Sequence, residues 1–438
     1  MAKTVYVAVS TDILHGGHIA LIKNAATLGD VMIGLFTDEA VASYKRFPLL
    51  DYEERKKIFE DLKEVKCIVP QYTLSFRDNL LKYKPDIVVH GDNWKEGVLS
   101  PVRNEVLEVL ATYGGELVEF PYSSNPVYKK LDSYFRDQSS LPDQRRSKLR
   151  KMLAMKPVVT AMEAHSGLTG LIVEKTVIYE NGGAHQYDAM WISSLCDSTD
   201  KGKPDIELVD MTSRFQTIDE LMEVTTKPII FDGDTGGKTE HFVYLVRTLE
   251  RMGVSAVIIE DKTGLKQNSL FGTEVSQTQD DIDNFCAKIS AGEKVKRTND
   301  FMIIARCESL ILEQGMEDAL KRCHAYVDAG ADGIMIHSRK KDPAEIYEFC
   351  DKFRETDPTT PIVVVPTSFC HETTEDLSKH GINLVIYANQ LMRAAFPAMQ
   401  EVAEKILMNH RSEEVENELM PFKEVIWLID PLDASEGD

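Results

Sequence analysis

Hydrophobic residues recur along the chain as short, β-branched runs, most of them closed by a polar residue and followed by a stretch of helical spacing. Thr4 to Ser10 alternates and reads as a strand. Thr11 to His18 is a polar loop, Ile19 to Ala26 a helix former, and Val31 to Thr37 a second strand. This β-loop-α-β order predicts a parallel, doubly wound, Rossmann-like sheet at the amino terminus. From Pro157 onward eight apolar runs follow: Pro157–Ala164, Tyr187–Ser193, Pro228–Asp234, Ala256–Asp261, Phe301–Glu308, Gly333–Ser338, Ile362–Thr367 and Leu384–Asn389. Their starts fall about 20 to 45 residues apart, the spacing of β-α units, and eight in succession predict a closed (β/α)8 barrel rather than an open sheet. The fold class is therefore α/β, with residues 1–130 as one domain and 156–438 as the barrel. Residues 131–155 read as a linker and lead-in helix. Their run Arg145-Arg146-Ser147-Lys148-Leu149-Arg150-Lys151 is expected to be a solvated basic face, with Leu149 and Leu153 one turn apart.

The position of the polar residues carries the functional signal. Glu163, Ser193, Asp232, Asp234, Glu260, Arg306, His337, Thr367 and Asn389 stand at or near the carboxyl ends of their runs, the active face of such barrels. Asp232 and Asp234, two apart on one strand, point to one side and could hold a hard cation such as Mg²⁺, with Glu260 accepting from its waters. Arg306 offers a planar fork for carboxylate or phosphate, and His337 a donor to an anionic oxygen. The run into Glu260-Asp261-Lys262-Thr263-Gly264-Leu265-Lys266-Gln267-Asn268-Ser269 leaves a buried strand through two carboxylates into a glycine-containing, lysine-bearing loop. In the first domain His15 and His18 flank two glycines at a helix start. There the backbone can approach a phosphate and the imidazoles can donate to it.

Composition narrows the substrate. The 438 residues carry a formal net charge of −21, which argues against a nucleic-acid or anionic-membrane partner. An anionic substrate must then be met by local positive charge or metal. Seven cysteines are scattered without a C-x-x-C pair and read as small core residues in a reducing cytoplasm. The amino terminus enters a strand at once and no apolar run reaches membrane-spanning length, so a cytoplasmic protein is expected.

The Glu260–Ser269 stretch resembles the signature of phosphoenolpyruvate mutases within the isocitrate lyase superfamily: Glu-Asp-Lys, three residues, Lys, one residue, Asn-Ser. Further likeness lies in Met162–Leu168, Trp191–Leu195, Asp232–Gly236, Ala305–Glu308, Ile336–Ser338 and Val365–Thr367. The resemblance implies conversion of phosphoenolpyruvate to 3-phosphonopyruvate. It assigns Asp232 to Mg²⁺, with Asp234 and Glu260 acting through water, and Arg306 and His337 to the migrating phosphoryl group. Trp191, Ser193, Ser194 and Leu195 would line the pocket, with Lys262 also at the substrate. Lys266 and Asn268 would close over it from the loop, and Asp205 matches a flexible-segment aspartate. Gly233 departs from the usual alanine and is expected to loosen its strand. The carbon–carbon lyases of the superfamily carry a catalytic cysteine where Thr263 and its neighbours stand. Phosphonopyruvate hydrolase is nearer, but typically has threonine at the place of Asn268. By the same resemblance a dimer or tetramer exchanging a carboxy-terminal helix, here Arg393 to Met408, is expected.

Residues 4–122 resemble the HxGH nucleotidyltransferases, in the cytidylyltransferase branch. The likeness runs from Asp12 through His15-Gly16-Gly17-His18, Thr37-Asp38 and Glu53-Glu54-Arg55 to His90-Gly91-Asp92-Asn93-Trp94. It implies that His15 and His18 stabilise charge as CTP is attacked at its α-phosphorus by a small phosphonate. Asp12, Lys45, Arg55, Asp92 and Trp94 would lie at the nucleotide. The closing motif departs from the family: Ser123-Ser124 lacks the usual preceding arginine. The expected whole is a bifunctional phosphonate-biosynthesis enzyme. The alternatives are a hydrolase barrel, or a mutase with a catalytically silent nucleotide-binding module.

Overall fold

The order of the amino-terminal strands fixes where a crevice can open. The structure, a computed structural model, describes residues 2–11, 13–42, 48–95, 100–121, 140–180 and 183–429. It divides into two units, residues 1–135 with 176–186 and residues 136–175 with 187–438. In the first unit β1 (Thr4–Val9), β2 (Asp30–Phe36), β3 (Val65–Gln71), β4 (Ile87–Gly91) and β5 (Glu116–Phe120) form a parallel sheet in the order β3-β2-β1-β4-β5. Alternation along β1 sends Val5 and Val7 into a core with Ile22, Ala25 and Phe59, and Tyr6 into one with Phe36, Phe76 and Trp94. The chain leaves β1 for β2 on one side and later fills the other side with β4. The strand order thus reverses between β1 and β4, and ligands of such sheets bind outside the carboxyl ends at that point. An antiparallel hairpin, β7 (Val177–Glu180) and β8 (Gly183–Gln186), belongs to this unit. In sequence it lies between the first two barrel strands. Tyr179 packs against the Tyr6 core.

In the second unit all eight apolar runs become strands of one closed parallel barrel. They are β6 (Val159–Glu163), β9 (Ala189–Ile192), β10 (Ile229–Asp232), β11 (Ala256–Glu260), β14 (Met302–Cys307), β15 (Gly333–Ile336), β16 (Ile362–Val364) and β17 (Leu384–Tyr387). Ile229 and Phe231 face the helices, with Ile218 and Phe242. Ile230 faces inward with Ala256, Ile258, Met302 and Ile304. This two-sided burial is why the strands read as continuous apolar runs. Two short strands, β12 (Lys262–Thr263) and β13 (Thr278–Gln279), pair antiparallel and form the base of a loop spanning residues 264–277.

The basic lead-in segment departs from expectation. It forms the helix Pro142–Met155, and Leu149 enters the barrel's interior cluster beside Val159, Ala256 and Met302, residues at the amino-terminal ends of their strands. Arg145 and Arg146 are buried, not solvated. Arg145 donates to the Thr225 carbonyl at 2.9 Å and Arg146 to the Glu250 carbonyl at 2.9 Å, at the ends of the helices Met211–Val224 and Thr239–Met252. Helix carboxyl ends present unpaired carbonyls and partial negative charge, which arginine satisfies. The segment is therefore a plug rather than a tether. Cys196, Cys307, Cys323 and Cys350 are buried, whereas Cys67 and Cys370 are exposed. Among the described residues no helix is long and apolar enough to cross a membrane. The helix Gln390–Asn409 contains the expected Arg393–Met408 segment and buries no residue within the chain.

Leu149→Ala should lower the barrel's stability by about 2–5 kcal/mol, read as a shift of its urea unfolding transition. An unshifted transition would show that the plug does not contribute.

Candidate functional site

In the first unit the loop after β1 delivers His15 to the amino cap of the helix Gly16–Ala26. His15 Nδ1 accepts from Gly17 N at 3.2 Å, and His18 Nδ1 from His15 N at 3.4 Å. A ring nitrogen that accepts a backbone N–H carries no proton, so a neutral ring at either position holds its proton on Nε2. The two rings lie 3.8 Å apart. A cavity of about 320 Å³ is lined by His15, Gly16, Gly17, His18, His90 and Trp94, among others. Trp94 stacks on His90 at 3.7 Å and donates Nε1–H to Glu119 at 2.7 Å. Arg103 grips the same carboxylate at 2.9 and 3.1 Å. The Arg103 hydrogen bonds, with that from Trp94, overcome partial burial and pull the Glu119 carboxyl down to about 2. Arg55 and Asp92 stand apart from the cavity lining. The Arg55 guanidinium is engaged by Asp38 at 2.5 Å and by the Leu50 carbonyl at 3.1 Å. Asp12, Lys45, Ser123 and Ser124 lie outside the described residues.

In the barrel the carboxyl ends of the strands converge on a cavity of about 70 Å³. Trp191, Ser193, Ser194, Leu195, Asp205, Asp232, Glu260, Arg306 and His337 all line it, with Thr367 and Asn389. Lys266, Asn268 and Ser269 from the 264–277 loop complete the lining, so that loop stands closed over the mouth. Asp232 Oδ2 accepts from Ser194 N at 3.1 Å and from Ser194 Oγ at 2.9 Å. Asp234, in the left-handed conformation at φ 52°, turns its carboxylate towards Arg214 Nη1 at 3.1 Å and towards the Lys266 ammonium. Lys266 also donates to Ser194 Oγ and, at 2.6 Å, to Asp205. Asn268 Nδ2 reaches the other Asp205 oxygen at 3.4 Å. Arg306 donates Nη2 to Ser269 Oγ at 2.6 Å and to His337 Nδ1 at 2.9 Å, while its Nε binds Glu308. His337 Nδ1 faces the Arg306 donor at 2.9 Å and the Glu308 carboxylate at 3.4 Å; arginine only donates, and the shorter contact makes Nδ1 the acceptor.

Burial and charge set the protonation of the site. Against strong burial, Lys266, Arg214 and Arg306 hold the Asp232 carboxyl below its ordinary value. Burial pushes Asp234 up, reinforced by Asp232 and opposed by Lys266. Burial lifts Glu260 to about 7 against Arg306 and Lys262. Burial and the Arg306 charge lower His337, which keeps it neutral. The donor set fits a hard divalent cation. Asp232 and Asp234 share the Lys266 ammonium on the cavity side, and Glu260 Oε1, buried without a hydrogen bond, has the Lys262 ammonium 3.2 Å away.

Some residues stand elsewhere than expected. Lys262 does not line the cavity. Its ammonium holds the loop from beneath through Gln267 O at 2.9 Å, Ser269 Oγ at 3.0 Å and Gln277 Oε1 at 3.0 Å. Glu163 turns away from the mouth and binds buried His165. Gly233 is not a looser strand position: a Cβ there would lie 2.8 Å from Val257 Cγ2 and 2.9 Å from Ile259 Cγ2, so its bareness admits two larger neighbours. Arg214 and Glu308 escaped the sequence reading. Arg214, 2% exposed, joins the Asp232 carbonyl at 2.6 Å to Asp234 and Asp197. It sits on an outer helix, and nothing in the apolar pattern singles it out. Glu308 ends a strand run two residues after Arg306, a spacing that could have paired them.

A cluster of buried carboxylates, an arginine–histidine pair and a loop at the carboxyl face of a (β/α)8 barrel place this chain in a class of barrel enzymes. The family model described as Phosphoenolpyruvate phosphomutase matches residues 149–407, and the chain belongs to that family. A second model, Cytidylyltransferase-like, matches residues 10–151. The Phosphoenolpyruvate phosphomutase of Tetrahymena pyriformis is 35% identical over 283 residues, 64% of this chain and 90% of the relative. The Phosphonopyruvate hydrolase of Variovorax sp. (strain Pal2) is also 35% identical, over 284 residues, 64% of this chain and 93% of the relative. The crystal structure of the phosphoenolpyruvate phosphomutase from Streptomyces platensis subsp. rosaceus superposes with a TM-score of 0.58 at 31% identity, covering 65% of this chain and 94% of its own. Phosphonopyruvate hydrolase in complex with oxalate and Mg²⁺ gives 0.57 at 32% identity, covering 65% and 94%.

Glu119 titrates lower folded than its ordinary value of 4.5, so its contribution is full above that pH and fades as pH falls towards about 2. The acid-induced drop in the first unit's melting temperature should be smaller in Glu119→Gln than in the unaltered protein; equal drops would contradict the assignment. Arg214→Met removes the cation that Asp234 and Asp197 share, leaving Lys266 and Lys201 to them, and should destabilise the barrel by about 1.5–3 kcal/mol, measured by chemical unfolding.

Proposed function

We propose that the barrel interconverts phosphoenolpyruvate and 3-phosphonopyruvate, and that the amino-terminal unit transfers CMP from CTP to a small phosphonate. The observation that carries the first part is the convergence of Arg306, His337, Asn268 and Ser194 on one small cavity beneath a closed loop. Asp232, with Asp234 and Glu260, would hold Mg²⁺, which when bound supplies positive charge to the enolate and carboxylate oxygens of the substrate. The Leu195 amide, at the opening of the helix Ser194–Asp200, would orient the pyruvyl group, the Ser194 N–H being engaged by Asp232 at 3.1 Å. Arg306 and His337 bind the phosphoryl oxygens as charge spreads over them. Asn268 donates from the loop and keeps the PO₃ unit over the pyruvyl moiety while it passes between oxygen and carbon. Such a transition state is loose and readily captured by water, so the closed loop serves chemistry by exclusion.

Phosphonopyruvate hydrolysis is the second reading, favoured by a relative of that name at equal identity. The presence of Asn268 supports the mutase. In the amino-terminal unit, Nε2–H donors of His15 and His18 support in-line attack on the α-phosphorus, with pyrophosphate leaving. The helix Gln390–Asn409, which packs on the barrel core through Leu391 and has no fully buried residue, supports a homo-oligomer.

Phosphorus-31 NMR of phosphonopyruvate with Mg²⁺ should show a phosphoenolpyruvate signal, and inorganic phosphate with pyruvate alone would overturn the mutase reading. Asn268→Ala should lower that conversion about 100-fold while the fold is retained. CTP with aminoethyl-, hydroxyethyl- or hydroxymethyl-phosphonate should release pyrophosphate, and His15→Ala should abolish the release; its absence with every acceptor would favour a silent module.

A further inference from the structure

The closing loop has two ends, and only the inner one belongs to the reaction site. Its outer end rests on Arg339, two residues beyond His337 and outside the cavity lining. Gly272 interrupts the short 3-10 segment Ser269–Glu274 with φ 52° and ψ −128°, a conformation that favours glycine. A Cβ at Gly272 would lie 2.5 Å from Arg339 Cζ, 2.6 Å from Nη1 and 2.7 Å from Nε, so the guanidinium lies flat against bare backbone. The same guanidinium reaches Thr273 Oγ1 at 3.5 Å, Glu274 at 3.6 Å and Glu313 at 3.0 Å. Glu313 lies on the segment after β14, so Arg339 ties the loop tip to the fixed rim. Gln277 carries the connection inward, donating to the Gly272 carbonyl at 2.7 Å and accepting from Lys262 at 3.0 Å.

We propose that Arg339 is a positioning residue that latches the 264–277 loop shut and thereby sets how much phosphoryl group is lost to water. The proposal rests on the mutase reading of the barrel. The ion pairs of Arg339 are partly exposed and individually weak, which suits a latch that must release product. When the C–P bond of phosphonopyruvate breaks, its electron pair stays on the pyruvyl unit as the enolate. The PO₃ unit then forms a P–O bond either to the enolate oxygen, giving phosphoenolpyruvate, or to a water molecule. In the second case the water's proton ends on the enolate carbon, giving phosphate and pyruvate. A loop held shut admits the first outcome, and a loose one lets in the second.

Arg339→Gln tests this in the full chain with phosphonopyruvate and Mg²⁺. The inorganic-phosphate share of product should rise at least about fivefold and kcat for phosphoenolpyruvate should fall, with KM changed less and the melting temperature unmoved. Gly272→Ala, which displaces the guanidinium and leaves its charge, should shift the product ratio the same way, and Arg339→Lys should restore it only in part. Trypsin cleavage after Lys266, a residue the closed loop buries, reads closure without turnover and should be several-fold faster in Arg339→Gln. An unchanged product ratio, or unchanged cleavage, overturns the latch. If the unaltered protein yields phosphate alone, the mutase reading fails instead, and the cleavage rates still decide whether Arg339 holds the loop.

Discussion

The barrel's mouth depends on compensating carboxylates that water no longer reaches. Asp232, Asp234, Glu260 and Glu308 are all buried at the strand ends, and a buried ionised carboxylate is strongly unfavourable unless paired. Arg214 serves Asp234 from beneath, Arg306 serves Glu260 on the neighbouring strand and Glu308 two residues further along its own run, and Lys266 serves Asp234 and Asp205 from the loop. The first two cations are fixed by the scaffold. Lys266 comes from the 264–277 loop, so the loop in this position is itself part of the charge compensation. A divalent cation held by Asp232 and Asp234 would meet the oxygens that Lys266 faces, and this ties cation loading to loop position. The short carboxylate-lined strand ends, the outer-helix arginine and the loop lysine are parts of one electrostatic solution.

What could be read beforehand follows from where sequence period and chemistry coincide. Each barrel strand is buried on both faces, so the eight runs stood out as apolar, and seven of the nine polar residues singled out at or near their ends line the mouth. Asp232, Arg306 and His337 were legible for that reason, and Asn268 because its loop carried a dense signature. The rule failed at Glu163, which also ends a run but turns into a hydrogen bond with His165. Strand position fixes height in the barrel, not rotamer. Arg214 was illegible because its function comes from tertiary packing of a helix whose own pattern is ordinary. Arg145 and Arg146 misled in the opposite direction. A basic run normally marks solvent, yet here the carbonyls ending two helices supply the counter-dipole. Only the three-dimensional arrangement of those helix ends reveals it.

The two cavities differ as the chemistry proposed for each demands. Transfer of a nucleotidyl group needs an approach path for two ligands, and positioning by donors on rigid backbone. The amino-terminal cavity, about 320 Å³, has its two histidines locked by their own capping bonds. Movement of a PO₃ unit within one small molecule needs the reverse: little spare volume, and no water beside the phosphorus. The barrel cavity, about 70 Å³, meets that need with a loop whose inner face supplies Lys266, Asn268 and Ser269. A glycine at the loop tip and an arginine on the rim then matter as much as the groups that touch substrate, because a loop that supplies catalytic donors is useful only for the fraction of time it is shut.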